Sequence, residues 1–254
     1  MLPVKGIFFV DNGYYVLENF VNEENLVELE HILEKFHKSW CEKNKEFFER
    51  NAINSAYITS GEFLQPSERL CLLKFIASKN VVKEVFNVLG TNACFLNSQL
   101  FFDPYNENQA NYWHRDIQYS GMDESEQRNI IEASGHDVVH FRLALRDELG
   151  VELIPSSHSK WDSLEELDTR LEKAGKKPSD DISTGRCIAL KRGDVLVFDA
   201  NIIHRGHYGK ERLSFDLLFC KEDPSILKYA NVDCFPNNDE LDQIDHAEIF
   251  KHIT

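Results

Sequence analysis

Tyr112-Trp113-His114-Arg115-Asp116 and, far downstream, Asn201-Ile202-Ile203-His204-Arg205-Gly206 are the two stretches from which the rest of the chain is best read. His114 and Asp116 are two positions apart, so in an extended strand both side chains leave one face. A neutral imidazole and a carboxylate placed there can grip a single metal ion. Alone, a His-x-Asp is weak evidence, because a solvated pair on a surface strand has the same spelling. His204 supplies a third donor. Two histidines and one carboxylate on one face of an octahedron form the facial triad that suits non-haem Fe(II) and leaves three positions open. The expected architecture is a barrel that brings the two stretches together.

The periodicity of the chain agrees with a barrel preceded by helices. Residues 7–18 alternate weakly. Asn22 is a good helix N-cap, and Leu26, Leu29, Ile32, Leu33 and Phe36 then mark one helical face at spacings of three and four, which predicts a helix to about Trp40. A polar stretch at 42–62 breaks the pattern. Pro66 opens a second helix, and a third follows through Val81, Val82, Val85 and Val88 to Gly90. From Cys94 the period becomes two: Asn97 and Gln99 share a face with Phe95 and Phe101, opposite Leu96, Leu100 and Phe102. Val139, Phe141, Leu143 and Leu145 form another buried face, with His140, Arg142 and Arg146 on the reverse. Residues 121–135 read as an acidic mobile loop. Residues 156–186, with Trp161, Leu164, Leu167 and Leu171 at helical spacing before Gly175-Lys176-Lys177-Pro178, read as a lid over the barrel mouth. Gly193-Asp194 is a tight turn. The strands after it, 195–200 and 213–220, put His204 and Arg212 at neighbouring strand ends.

Composition narrows the possibilities. The 254 residues fit one large domain, 1–254, with no linker or repeat to divide it. A 42% hydrophobic fraction with 18 Phe and 8 Tyr is that of a globular chain rather than a disordered one. With 43 acidic against 28 basic residues, a net −15, most of the surface repels phosphate backbones, so no nucleic-acid partner is expected. Six cysteines without a Cys-x-x-Cys pair point to a reducing compartment. Ile7-Phe8-Phe9-Val10 is too short for a signal-peptide core, and no apolar run is long enough to span a membrane. A cytoplasmic protein is expected, with residues 222–254 as an acidic tail packed outside the barrel.

The motifs in order resemble one known family. Gly13-Tyr14-Tyr15-Val16-Leu17-Glu18, the Tyr112 to Asp116 stretch, Ile154-Pro155-Ser156-Ser157-His158, Gly193-Asp194-Val195-Leu196-Val197-Phe198, His204 and Arg212 are similar to the phytanoyl-CoA dioxygenase family of Fe(II)- and 2-oxoglutarate-dependent oxygenases. The resemblance covers roughly residues 10–221. Asn97 to His114 also resembles ectoine hydroxylase, a family member, in its Pro104, Tyr112, Trp113 and His114 landmarks. The implied fold is mainly β with flanking helices: a double-stranded β-helix (jelly roll, cupin-like) buttressed by N-terminal helices. Two departures bear on the substrate side. The family's Glu-Asn-Gly is shortened here to Glu148-Leu149-Gly150, and Ser156 replaces the first glycine of its Pro-Gly-Ser-His turn.

The resemblance implies a metal set of His114, Asp116 and His204, with Fe(II), 2-oxoglutarate and O2 as the reacting partners of a small-molecule substrate. His207 lies three residues from His204 and competes with it, but Ile202-Ile203-His204-Arg205-Gly206 reproduces the family's context. Arg212, which begins an apolar strand in an Arg-x-Ser pattern with Ser214, is the implied anchor for the distal carboxylate, since guanidinium binds carboxylate through two parallel hydrogen bonds. Asn97 matches a co-substrate position of ectoine hydroxylase. His158 has a structural place in the family turn, and His140 reads as a satisfied strand histidine. Asp116 favours hydroxylation, because related halogenases carry a small residue in place of that carboxylate. Two other readings stand beside this one: a metal-binding jelly roll without oxygenase activity, and a cupin-type isomerase or hydrolase. The sequence says nothing about oligomeric state.

Overall fold

The computed structural model describes residues 4–133 and 137–250. In chain order the elements are α1 (Val4–Asn12), β1 (Tyr14–Leu17), α2 (Glu23–Lys43), α3 (Lys45–Arg50), β2 (Asn54–Ala56), α4 (Pro66–Ile76), α5 (Lys79–Leu89) and β3 (Ala93–Phe102). They continue with α6 (Glu124–Glu132), β4 (Val138–Ala144), β5 (Glu148–Leu153), α7 (Leu164–Arg170), β6 (Arg186–Leu190), β7 (Val195–Asp199), β8 (His204–Gly206), β9 (Leu213–Lys221), α8 (Pro224–Leu227) and α9 (Asn238–Leu241).

The strands form two antiparallel sheets. The larger has the order β1-β7-β4-β9-β3-β2 and the smaller β6-β5-β8. This is the jelly roll expected from the alternating strands. One face of the large sheet, carrying Leu100, Val139, Phe141, Leu143, Phe215, Leu217 and Phe219, packs on helix residues that include Leu29, Leu33, Phe36, Leu72, Leu73 and Val85. Each such side chain contributes about 1.5–3 kcal/mol of transfer free energy on burial. The other face meets the small sheet through Ala144, Val151, Leu153, Leu196, Phe198 and Ile202. Strands β7 and β9 are buried on both faces.

Local signals set the helix ends. Asn22 accepts a hydrogen bond from the backbone N–H of Asn25 at the start of α2, and Gly90, at φ +85°, closes α5. Four expectations change. Residues 7–12 belong to a helix, not to an alternating segment. The polar 42–62 stretch contains α3 and the edge strand β2, whose side chains border the site. The 121–135 stretch contains a helix, α6, begun by a reciprocal capping box between Asp123 and Glu126; residues 134 and 135 lie outside the described residues. The acidic tail is no mere appendage, because Cys234, Ile244, Ile249 and Phe250 are buried in the helix-side core and Glu240 pairs with Arg69; residues 251–254 also lie outside the described residues. No helix among the described residues is long and apolar enough to cross a membrane.

Candidate metal centre

The peptide around His114 runs beside β8 as a short extra rung of the small sheet. His114 N–H donates to His204 O at 3.0 Å and His204 N–H to His114 O at 2.9 Å, so the two imidazoles leave the same side with ring centroids 4.2 Å apart. The Asp116 N–H is fixed by Ala200 O at 3.1 Å. Asp116 Oδ1 then lies 3.7 Å from His114 Nε2 and 3.8 Å from His204 Nε2. One donor atom from each residue falls within 4.8 Å of the others, and this is the one such group among the described residues.

Each ring is oriented by its other nitrogen. His204 Nδ1 is 2.9 Å from Ile202 O, and His114 Nδ1 is 3.3 Å from Tyr112 O. Donation to those carbonyls leaves both Nε2 lone pairs facing Asp116. Burial first, then the neighbouring His114 ring, pushes His204 down to about 3, and burial also lowers His114. Both rings are therefore neutral, as metal ligation requires. Burial by itself would raise the Asp116 carboxyl, but contact with His140 and the flanking His204 and His114 rings holds it well below its usual range. A carboxylate and two neutral imidazoles converging from one side fit a divalent ion with open positions.

His140, expected as a satisfied strand histidine, is satisfied by a functional partner. Its Nε2 is 2.8 Å from Asp116 Oδ2 and its Nδ1 3.0 Å from Asp216 Oδ2, and its ring stacks on Phe198 at 4.5 Å. Burial works against its protonation, yet the two carboxylates raise it to about 10. The resulting imidazolium occupies Asp116 Oδ2 and leaves Oδ1 toward His114 and His204.

A cavity of about 340 Å³ extends from the triad to Arg212, bordered also by Arg142, Gln99, Phe101 and the Tyr112 and Tyr119 rings. Arg212 and Arg142 are both buried, and they share one carboxylate: Glu148 Oε2 is 3.8 Å from Arg212 Nε and Glu148 Oε1 is 3.4 Å from Arg142 Nε. Neither Nε nor Nη1 of Arg212, nor Nε of Arg142, has a hydrogen-bond partner among the described residues. Burial and then the Arg142 charge lower Arg212 to about 10. Gly206 makes room for this guanidinium, since a Cβ there would stand 2.8 Å from Arg212 Nη2.

The other expected residues are placed as follows. Ser214 lies beneath the cavity wall, donating to Glu148 Oε2 at 2.5 Å and accepting from Arg142 Nη2 at 3.1 Å. Asn97 does not border the cavity; its Oδ1 accepts from Ser98 N–H at 2.8 Å. A β-bulge between Phe95 and Asn97 breaks the alternation. It sends Phe95 into the helix-side core, so Phe95 does not share the face of Gln99 and Phe101. Gln99 takes the cavity position and accepts from Asn54 Nδ2 at 3.0 Å. Of the two arginines beyond His140, Arg142 faces the cavity, whereas Arg146 turns out to Glu30 and Glu34 on α2. His207 stands 3.2 Å from Glu152. His158 reaches Val10 O at 3.1 Å and fills the space beside Gly13, where a Cβ would lie 2.4 Å from its Nδ1. Trp113 is a core residue whose Nε1 donates to Asp180 O, while Tyr112 borders the cavity.

The 156–186 segment, expected as a lid, lines none of this cavity. It is fastened to the motif itself: the fully buried Arg115 binds Asp162 at 2.8 Å, Ser157 O at 2.6 Å and Lys160 O at 2.9 Å. Asp162 is shared with Arg170 at 2.8 Å. The expected apolar stripe does not face inward, since α7 leaves Leu164 exposed and buries Thr169 and Arg170.

A jelly roll with this His-x-Asp and distant His beside a buried arginine has the architecture of the non-haem, 2-oxoglutarate-type oxygenases. The chain belongs to the phytanoyl-CoA dioxygenase (PhyH) family, whose sequence profile matches residues 9–209. No curated protein matches it in sequence. Among solved structures it is similar to EctD from S. alaskensis with 2-oxoglutarate and 5-hydroxyectoine, at 15% identity and a TM-score of 0.58, covering 89% of this chain and 83% of that one. HygX from Streptomyces hygroscopicus, with nickel and 2-oxoglutarate bound, is 14% identical with a TM-score of 0.60, covering 87% and 88%. The non-heme alpha ketoglutarate dependent carbocyclase SnoK from nogalamycin biosynthesis is 12% identical with a TM-score of 0.58, covering 87% and 85%. At these identities the likeness is one of fold.

Proposed function

We propose that the protein is an Fe(II)- and 2-oxoglutarate-dependent dioxygenase that hydroxylates a small organic substrate. In that reaction one oxygen atom of O2 enters a C–H bond of the substrate and the other enters succinate, with loss of CO2 from 2-oxoglutarate. Fe(II) with its keto-acid co-ligand supplies the activation of dioxygen. His114, Asp116 and His204 are the residues that would hold the ion. His140 keeps Asp116 ionised and turned, with Asp216 holding the far side of the His140 ring.

The observation that carries this reading is the cluster of Arg212, Arg142 and Glu148 across the same cavity. Two buried guanidinium groups share one carboxylate, and three of their N–H donors are unpartnered. Such a cluster calls for one further anion, because unpaired buried donors and charges are costly. The distal carboxylate of 2-oxoglutarate supplies that charge, and a guanidinium is shaped to receive it. A jelly roll that only stores metal, or an isomerase of neutral substrates, has no use for this charge.

The structural neighbours support an oxygenase-type enzyme, and they include an epimerase and a carbocyclase. The proposed reaction is tested by giving the Fe(II)-loaded protein 2-oxoglutarate, ascorbate and dioxygen and following succinate. Slow succinate release that disappears in Arg212→Leu is the expected result. Its absence in the wild type, together with equal 2-oxoglutarate binding by both proteins, overturns the assignment.

A further inference from the structure

The inner face of β9 changes character along its length. Ser214 meets Arg142 and Glu148, Asp216 meets His140, and Leu218 packs with Leu96 and Cys220 in a small apolar cluster. Charge therefore lies at one end of the barrel interior and hydrocarbon at the other, with the triad between. At the apolar end is a second cavity of about 490 Å³, walled by Leu96, Ile117, Met122, Val138, Leu218 and Ile226. Asp116 and Tyr119 border both this cavity and the one containing Arg212, so the two cavities adjoin at these two side chains.

We infer that this second cavity seats the organic substrate and selects an uncharged molecule with a hydrocarbon body. The inference rests on the oxygenase reading above, which assigns the arginine end to the co-substrate. Its volume lies within the range of small-molecule sites. Among the described residues no lysine or arginine lines it, and the three carboxylates that do are already engaged. Asp137 binds Lys221 Nζ at 3.1 Å, Asp223 accepts from Ser225 N–H at 2.7 Å, and Asp116 Oδ2 is held by His140. An anionic ligand meets these carboxylates without a counter-charge. Of the three carboxylates only that of Asp223 lacks a cationic partner, and it is exposed and solvated, so a cationic ligand recovers little of its desolvation cost there. A hydrocarbon loses nothing by entering, and one end of it would reach the triad beside Asp116 and Tyr119.

The test uses full-length protein with Mn(II) in the triad and 2-oxoglutarate present. Octan-1-ol, octanoate and octylammonium are the probes, and paramagnetic relaxation of their alkyl protons reports binding close to the ion. Octan-1-ol is expected to be relaxed and to bind about tenfold or more tightly than either ion. Ile226→Trp fills the cavity from α8, outside the barrel, and should weaken octan-1-ol about tenfold, the equivalent of losing two buried methylenes. Met122→Lys, on another wall, should do the same, and 2-oxoglutarate binding should be unchanged in both variants. No relaxation of octan-1-ol overturns the inference, as does binding of octylammonium or octanoate as tight as that of octan-1-ol. Octan-1-ol binding that is indifferent to both substitutions does so too. Failure of 2-oxoglutarate to bind wild-type Mn(II) protein is a separate result: it sinks the oxygenase reading, and the octan-1-ol series still decides whether the cavity takes uncharged hydrocarbon.

Discussion

His114 and His204 face each other across an antiparallel rung, each donating its backbone N–H to the other's carbonyl. The ladder, not loop geometry, fixes the separation of the two imidazoles, and a third residue has only to enter from the following turn. His204→Ala should therefore lower Mn(II) affinity by more than about a hundredfold, beyond what loss of an outer partner costs, with an unchanged far-UV circular dichroism spectrum. His207→Ala should leave it near wild type, since His207 is turned toward Glu152. A metal titration in which the two variants exchange these behaviours would reverse the ligand choice.

The arginine cluster gives a graded expectation. Arg212→Leu removes the guanidinium with the most unpartnered donors, at a cost of about 2–5 kcal/mol in 2-oxoglutarate binding by analogy with buried charge pairs. That is roughly thirtyfold to a few thousandfold in affinity. Arg212→Lys should recover only part of it, because a point charge does not copy the planar fork. Arg142→Met should fall between Arg212→Leu and wild type. Ser214→Ala should change affinity by less than about tenfold, since the hydroxyl is committed to Glu148 and Arg142. Calorimetric titration of the four variants checks the order, and a Ser214→Ala loss equal to that of Arg212→Leu contradicts it.

Replacing His140, which is buried between two carboxylates, should cost folding stability. His140→Leu leaves Asp116 and Asp216 without their shared partner, and breaking a buried charged pair typically costs about 3–5 kcal/mol. In the double variant His140→Leu with Asp216→Leu, one of the stranded carboxylates is gone, so part of the loss should return. Urea denaturation of the metal-free proteins measures the cycle. Purely additive losses would mean that the 3.0 Å contact between His140 and Asp216 carries no coupling.

The triad could be read from the sequence because its chemistry is written in contiguous motifs whose spacing matches a strand. Its supports could not, and the reason is physical. An alternating strand spells the same whether its polar side faces water or a second sheet, so the periodicity puts His140 and Arg142 opposite the buried face without showing that this side, with Asp216 of β9, is itself buried. The bulge at Leu96 has no glycine to announce it, and it turns Phe95 away from the face of Gln99 and Phe101, while Asn97 pairs with Leu218, beyond the cavity that Gln99 borders. Glu148 was noticed only as part of a shortened motif, because its two arginine partners come from other strands. For α6 the sequence does carry a signal: Asp123 and Glu126 have capping-box spacing just ahead of Ile130-Ile131.

The segment once expected to move is held by the motif it was expected to cover. Arg115, between His114 and Asp116 of the candidate metal site, sends its guanidinium the other way, into Asp162 and the carbonyls of Ser157, Lys160 and Asn201. Four hydrogen bonds and the ion pair to Asp162, in a fully buried place, make a rigid joint. Amides of 157–170 should therefore exchange slowly, with protection that 2-oxoglutarate does not alter. Arg115→Met keeps the volume but strands Asp162 and several carbonyls, a loss of about 3–5 kcal/mol, and exchange in that segment should rise more than in β4 or β9. Because the same side chain fixes the peptide between His114 and Asp116, Mn(II) affinity should fall with it, by about tenfold to a hundredfold as for other outer partners of a metal site. Rapid exchange of 157–170 in the wild type, quenched on adding 2-oxoglutarate, would restore the lid and remove the joint.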